Sequence, residues 1–387
     1  MKSLKQSFVV PFTYSVFFTE GVFDEKNHIL KGIISPSTEE KILVVMDENV
    51  VRKIPDLLPQ THTYFHKNLV GQLTEVLVLP GGEAVKNDLA GVGKIIEAID
   101  RGKLSRHSYI IAVGGGALLD LAGYAASIAH RGIRLIRIPT TVLAQNDSGV
   151  GVKNGVNYFN KKNFLGCFAP PFAVVNDKKF LMTLGQRDWI AGIAEAIKVA
   201  LIKDEEFFWF IKNNASALVA RDMEVMQEVI YRCAELHIQH IGGVDPFERG
   251  SSRPLDFGHW AAHKLEQMDG YKIRHGEAVA VGMLLDVTIS YQRNYISQKN
   301  WQQIVYCINH CGFREVITTY LPFLIHNCSE LEKGLHEFRE HLGGRLTIML
   351  LSAIGKGKEV SRIERDELLK SLHYANSYYQ KNEISQL

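Results

Sequence analysis

Glu195, His259 and His275 are the residues of this 387-residue chain whose types most directly suggest chemistry. The glutamate sits in Gly192-Ile193-Ala194-Glu195-Ala196-Ile197-Lys198. The histidines sit in Asp256-Phe257-Gly258-His259-Trp260-Ala261-Ala262-His263 and in His275-Gly276-Glu277-Ala278-Val279-Ala280. One carboxylate and two neutral imidazoles leave a coordination position open, which is the pattern of a catalytic rather than a structural zinc. Cobalt is the alternative ion for the same donors. An open metal holds a substrate hydroxyl or carbonyl and stabilises the charge that develops on it. His259 and His263 are four apart and share a helix face, a spacing that alone is more often a polar face than a metal site. There is no His-Glu-x-x-His, so the common zinc-protease reading has no support.

Two glycine loops could serve a dinucleotide. Val113-Gly114-Gly115-Gly116-Ala117-Leu118-Leu119-Asp120 follows an apolar run and opens a helical pattern. Glycines there let the backbone approach a pyrophosphate, and a helix start offers free N–H groups. Its spacing is not Gly-x-Gly-x-x-Gly, and a plain tight turn is the competing reading. Pro80-Gly81-Gly82-Glu83 follows another apolar run, and Asp47, ending a third, could accept from a ribose. Asp147 through Asn157, leading to Lys161-Lys162-Asn163, is dense in glycine, lysine and asparagine. That composition suits an anion cradle, or equally a solvated loop. Arg131 would place a guanidinium just after the glycine-loop helix.

The elements that must position these groups change in texture along the chain. Ile42–Met46, Thr74–Leu79, Tyr109–Val113 and Leu135–Ile138 read as buried strands, separated by helical stretches such as Leu89–Arg101 and Leu118–Ala129. Alternation of this kind implies a mostly parallel sheet with helices packed on it. Beyond about residue 186 helix-period segments dominate: Trp189–Lys203, Glu205–Ala220, Met223–Ile241, His259–Met268, Glu277–Arg293 and Gln298–Cys311. This reads as an α/β domain over 1–185 and an all-α domain over 186–387, with the cleft between domains as the natural place for a site. Glu364–Tyr379 reads as a closing helix.

Bulk properties exclude other classes. Lys+Arg minus Asp+Glu is 44 − 42 = +2, and the basic residues are dispersed, so charge points to neither nucleic acid nor a membrane surface. Five cysteines are sparse and odd in number, which suits free thiols in a reducing cytoplasm. No secretory signal layout or membrane-length apolar run is present.

Taken together, the motifs resemble the dehydroquinate synthase superfamily of sugar phosphate cyclases. They are Pro-Gly-Gly-Glu, Gly-Gly-Gly-x-x-x-Asp, Pro139-Thr140-Thr141, Asp147 through Asn163, Gly-x-x-Glu-x-x-Lys, Gly-His-x-x-x-His and His-Gly-Glu-Ala-Val-Ala, running from about Ile42 to Leu351. The resemblance implies a Rossmann-like NAD-binding domain followed by a helical metal- and substrate-binding domain, with zinc on Glu195, His259 and His275. It implies NAD contacts from Asp47, Glu83, Lys86, Gly115, Gly116, Asp120, Thr140, Thr141, Asp147, Lys162, Thr183 and Leu184. Substrate or phosphate contacts fall on Lys153, Lys162, Asn163, Arg253 and Asp256, and on Arg131 reaching across a homodimer interface. Catalytic roles fall on Lys153, Lys198, His263, Asp147 and Glu248. The implied reaction is transient oxidation of a ring hydroxyl, β-elimination of phosphate, re-reduction, ring opening and intramolecular aldol closure, with no net redox change.

Departures from the family bear on the substrate. True dehydroquinate synthases carry asparagine, lysine and arginine where this chain has Asp256, Ile238 and Ser252, although Arg253 is adjacent. Those family residues suit a substrate carboxylate, whereas Asp256 would meet one with like charge. The Phe338–Gly344 segment is more similar to cyclases of seven-carbon sugar phosphates such as the valiolone-type synthases, which usually have proline at His263. The Arg253–His263 stretch resembles the dehydroquinate-synthase-like branch of bacterial ebo-type gene clusters. The expected substrate is therefore a ketose phosphate without a carboxylate, such as sedoheptulose 7-phosphate. Rival readings are an authentic 3-dehydroquinate synthase, a metal-dependent polyol dehydrogenase and a non-catalytic binding paralogue. Polyol dehydrogenases usually lack the paired lysines of the phosphate loop.

Overall fold

The computed structural model describes residues 2–34, 37, 39–159, 161–243, 245–247, 254–341 and 346–384. It divides into two units, one of residues 1–140 and 151–183, the other of 141–150 and 184–387.

The first unit is built on six parallel strands: β1 (Ser15–Thr19), β2 (Ile42–Asp47), β3 (Leu73–Leu79), β4 (Tyr109–Gly114), β5 (Arg134–Pro139) and β8 (Ala173–Asp177), in the order β1-β8-β5-β4-β2-β3. Every residue of β2 and β4 is buried, as expected of strands covered on both faces. Helix α1 (Ala90–Arg101) shows the complementary pattern: Val92, Ile95, Ala98 and Ile99 form one buried stripe. The chain runs from β2 outward to β3, then returns to the other side of β2 as β4. That reversal makes a topological switch point at the carboxyl ends of β2 and β4, where open α/β sheets bind ligands. A separate antiparallel ribbon of β6 (Lys153–Tyr158) and β7 (Lys161–Phe168) carries the lysine- and asparagine-rich segment.

The second unit is helical. Its central helix, here α6 (His275–Gln292), is buried at every position from Ala278 to Ser290. An all-round buried helix carries no amphipathic stripe, so its apolar run is its sequence signature. Helices α3 (Ile193–Lys203), α4 (Met223–Ile241) and α5 (His259–Met268) supply the other residues of interest. The stretch expected as one helix from Trp189 breaks at Gly192 into Gln186–Ala191 and Ile193–Lys203. The unit also holds an antiparallel hairpin, β9 (Ile348–Ala353) and β10 (Lys356–Val360). The closing helix runs Arg365–Ile384. Among the described residues no helix is long and apolar enough to cross a membrane, and all five cysteines are free thiols.

Thr141–Val150 lies in the α/β half of the sequence but packs with the helices. The Asn146 amide donates to Gly192 O at 2.8 Å, tying this short π-turn to the start of α3. A single cut at residue 185 does not capture that excursion.

Candidate active site and metal centre

Within the helical unit Glu195 is fully buried in the first turn of α3. Its Oε1 stands 3.5 Å from His259 Nε2 and 3.4 Å from His275 Nε2. Ligands about 2.0–2.1 Å from a zinc ion at tetrahedral angles stand about 3.3 Å apart, so these separations match a shared ion. Both Glu195 oxygens are buried. A buried carboxylate needs cationic partners; Lys198 contacts Oε2, and Oε1 faces the two imidazoles.

The supporting contacts orient the imidazoles. His259 Nδ1 lies 3.1 Å from Phe257 O. Donating there places the proton on Nδ1 and leaves the Nε2 lone pair toward Glu195. His275 Nδ1 stands 3.4 Å from Glu266 Oε1, a buried carboxylate one helix away. A carboxylate or carbonyl behind each imidazole is the usual outer support of a metal site. His263 completes the cluster: ligand atoms of His259, His263 and His275 all lie within 4.8 Å of one another.

Backbone geometry explains why His259 falls here. Gly258 has φ 76° and ends its turn against α6; a Cβ on it would lie 2.7 Å from Met283 N and 3.1 Å from Gly282 C. Its N–H donates to Asp286 Oδ2 at 2.8 Å, and Trp260 Nε1 donates to Asp286 Oδ1 at 2.9 Å. Asp286, fully buried in α6, thus holds both neighbours of His259. Burial pushes its carboxyl up to about 7, against the two donated bonds.

Lys198, one turn along α3 from Glu195, is buried and contacts Glu195 Oε2. Burial alone would lower its ammonium, but Glu195 and Asp147 outweigh that and raise it. Burial likewise pushes Glu195 up, and Lys198 with the two imidazoles holds it well below the usual carboxylate range. Asp147 follows the same balance: burial raises it, while Lys198 and His237 bring it below its ordinary value. His237 Nδ1 stands 2.9 Å from Asp147 Oδ1. Its neighbour Ile238, which stands where the family carries a lysine, is half-buried.

In the α/β unit the switch point carries the glycine loops. Asp47 ends β2, and its side chain accepts from Asn49 N at 2.8 Å. A Cβ on Gly81 would fall 2.0 Å from Asp47 Oδ1, so the Pro-Gly-Gly turn approaches that carboxylate as only glycine allows. Gly115 begins α2 (Gly116–Ile128) without any side-chain cap, leaving the first N–H groups of a thirteen-residue helix for an anion. Lys86 is buried, its Nζ 2.7 Å from Asp120 Oδ2 and in contact with Asn163 Oδ1. Glu83 is at 4.0 Å from the same Nζ. Glu83, Lys86, Asp120 and Asn163 are thus brought together. Thr140 is buried and Thr183 half-buried in this unit; Thr141 and Leu184, half-buried, belong to the helical one. Arg131, Lys153 and Lys162 lie on the first unit, the first two exposed.

Asp256 is half-buried, three residues before His259, and its Oδ2 is buried without a hydrogen bond among the described residues. Glu248, Ser252 and Arg253 lie outside the described residues. Sequence reasoning missed four supporting groups: His237, Glu266, Asp286 and Arg137. Arg137 is fully buried in β5 and donates to Gly151 O at 2.6 Å, Lys153 O at 3.0 Å and Asn154 Oδ1 at 2.6 Å. It clamps the segment that carries Lys153. A charged residue inside an otherwise apolar strand was the available signal.

Residues 76–191 match the 3-dehydroquinate synthase N-terminal family model and residues 192–331 the C-terminal one. The chain belongs to the 3-dehydroquinate synthase family. A 3-dehydroquinate synthase of Alkaliphilus metalliredigens is 36% identical over 322 residues, covering 83% of this chain and 86% of the relative. Among solved structures, a 2-epi-5-epi-valiolone synthase from Streptomyces hygroscopicus with NAD+ and Zn2+ bound shares the fold with a TM-score of 0.84 at 24% identity, covering 96% of this chain and 99% of that one. A 2-deoxy-scyllo-inosose synthase complexed with carbaglucose-6-phosphate, NAD+ and Co2+ does so with a TM-score of 0.77 at 24% identity, over 93% and 96%. This member of the 3-dehydroquinate synthase family is accordingly an enzyme, a lyase-type cyclase.

Proposed function

We propose that this enzyme is an NAD- and zinc-dependent sugar phosphate cyclase acting on a ketose phosphate without a carboxylate, sedoheptulose 7-phosphate or a relative. The observation that carries the substrate class is Asp256. It sets a carboxylate, with a buried oxygen that has no hydrogen bond among the described residues, on the turn that leads into His259. A substrate carboxylate there would meet like charge, while a hydroxyl could donate to that oxygen. The solved valiolone-type neighbour is in keeping with this choice.

Glu195, His259 and His275 have the donor types, spacing and outer support to hold a divalent metal, and the glycine turns beside Asp47 fit a dinucleotide pyrophosphate. When bound, the nicotinamide supplies reversible hydride acceptance and the metal supplies Lewis-acid stabilisation of a substrate oxygen. The rest falls to the chain. Lys198 neutralises Glu195 and Asp147 so that both stay ionised in a buried setting. His263 has a ring that can pass or take a proton. Lys153 and Lys162 offer point charges to phosphate. Arg131 would serve the partner's site in a homodimer, with the metal residues in 186–387 and most cofactor residues, together with the phosphate lysines, in 1–185.

A second reading, authentic 3-dehydroquinate synthase, is favoured by the name of the 36%-identical relative. The two are separated by incubating purified protein with NAD and zinc, in one arm with sedoheptulose 7-phosphate and in the other with the heptulosonate phosphate. Phosphate release and product mass are measured. Release from sedoheptulose 7-phosphate alone supports the proposal; efficient turnover of the heptulosonate alone rejects it.

A further inference from the structure

We infer that Arg137 is a positioning residue of this enzyme: its guanidinium fixes the start of β6, and through it Lys153, for the phosphate of the substrate. The inference rests on the sugar-phosphate reading above, in which Lys153 offers its charge to that phosphate.

Strand β5 is buried from Leu135 to Pro139, and Arg137 stands fully enclosed in the middle of that run. An apolar side chain is due there. Burial draws the guanidinium below its ordinary value, and Asp120, Tyr14 and Cys167 offset that only in part. Burying a cation is costly, so a residue that only filled the core would be neutral. Three of its bonds run to neutral oxygens: Nη1 donates to Gly151 O at 2.6 Å, and Nη2 to Lys153 O at 3.0 Å and Asn154 Oδ1 at 2.6 Å.

Those acceptors lie at one place in the chain. Residues 141–150 leave the α/β unit, and the chain re-enters it at Gly151. Lys153 then opens β6, paired with Phe168 of β7. Asn154 carries the hold across the ribbon: its Nδ2 donates to Ala169 O at 3.0 Å, and Ala169 N donates to Val152 O at 2.8 Å. Asn154 itself is buried against Gly123 of α2. The main chain around Lys153 is therefore tied on both sides, while Lys153 itself is exposed. An ammonium would bring charge without the planar fork that spans these three oxygens. A backbone fixed beforehand lowers the ordering cost of binding, so loosening it weakens the hold on phosphate more than it slows the chemistry.

The test measures binding of inorganic phosphate to the NAD- and zinc-loaded enzyme by calorimetry, together with KM and kcat for sedoheptulose 7-phosphate. Arg137→Lys keeps the charge and loses the fork. It is expected to weaken phosphate binding and raise KM by roughly tenfold each, with kcat and zinc content little changed. Asn154→Ala removes one of the three acceptors. It is expected to move both quantities the same way by a smaller factor, and it carries the test if Arg137→Lys does not fold. Lys153→Met is expected to weaken phosphate at least as much as Arg137→Lys. Adding Arg137→Lys to it should then cost no further phosphate affinity, because Arg137 acts through Lys153. A lowered thermal midpoint with phosphate affinity and KM unmoved in Arg137→Lys and Asn154→Ala, or additive losses in the double variant, overturns the positioning role and leaves the cyclase reading standing. Phosphate affinity unmoved by Lys153→Met overturns the phosphate role of Lys153 and this inference with it. If the wild type is inert to sedoheptulose 7-phosphate but the variants lose phosphate affinity as expected, the positioning role is supported and only the choice of sugar is overturned.

Discussion

Replacing Gly258 by alanine tests how the metal site is held, and Gly270→Ala is its internal control. Both glycines have positive φ, 76° and 64°. A residue with a Cβ in that region loses about 1–2 kcal/mol, so each variant carries this strain. Only Gly258 adds a collision, because its Cβ would lie 2.7 Å from Met283 N, whereas a Cβ on Gly270 meets nothing within 4 Å. Forcing an extra methyl into a close-packed helix contact costs about 1–3 kcal/mol more. Gly258→Ala should therefore lose about 2–5 kcal/mol in total and Gly270→Ala about 1–2 kcal/mol. Because His259 is the next residue, the forced separation of α5 from α6 should also move its Nε2 relative to that of His275. Outer-support damage of this kind typically lowers metal affinity by about 10–100-fold. Thermal melting by circular dichroism gives the first quantity, and zinc competition against a chromophoric chelator gives the second. Equal destabilisation of the two variants with zinc affinity unchanged in both would refute the reasoning.

Three further outcomes follow from the same geometry. Glu195→Gln should cut zinc affinity at least about 100-fold and abolish phosphate release, since an amide is a poor ligand; metal content after dialysis checks this. Asp286 is raised to about 7 from an unfolded value near 4, so the folded state keeps a proton that the unfolded state releases. Its contribution to stability is therefore lost as pH rises from about 4 to 7, by up to about 4 kcal/mol, and the stability of wild type relative to Asp286→Asn should fall over that window. A rise in that difference, read from thermal midpoints across pH, would contradict it. A Cβ on Gly123 would lie 1.7 Å from Asn154 Oδ1, the atom Arg137 holds. Gly123→Ala and Asn154→Ala should each destabilise by about 1–3 kcal/mol, the first by collision and the second by leaving Arg137 short of an acceptor. The double variant should lose less than the sum, because removing the Asn154 side chain relieves the collision.

Much of the fold was legible because its signals are local. The all-buried strands β2 and β4 read directly as apolar runs, and Met223–Ile241 and His259–Met268 match the helices found. β1 and β8 were missed; β1 lies in the N-terminal segment, which carries no motif. The break at Gly192 was missed because periodicity continues across it, and only the approach of Leu143 and Val142 marks the spot. In the site, Glu195, His259 and His275 stood out through their residue types together with the motifs around them. Their supports did not: Glu266 and Asp286 look like any helical acid until folding brings them to His275 and to the turn around His259. His237 was overlooked because the sequence does not say which residue of α4 faces Asp147. Asp147 itself joins the helices through an excursion of ten residues that no composition change announces.

The most direct test of the central claim is a joint measurement of phosphate and reduced cofactor. The enzyme, loaded with zinc and given NAD far below the sugar concentration, is incubated with sedoheptulose 7-phosphate. A recycling cyclase releases phosphate many times over per NAD, with no accumulation of NADH and a carbocyclic product lacking the elements of phosphoric acid. Accumulation of NADH in step with sugar consumed, without phosphate release, would make the protein a dehydrogenase and contradict the account.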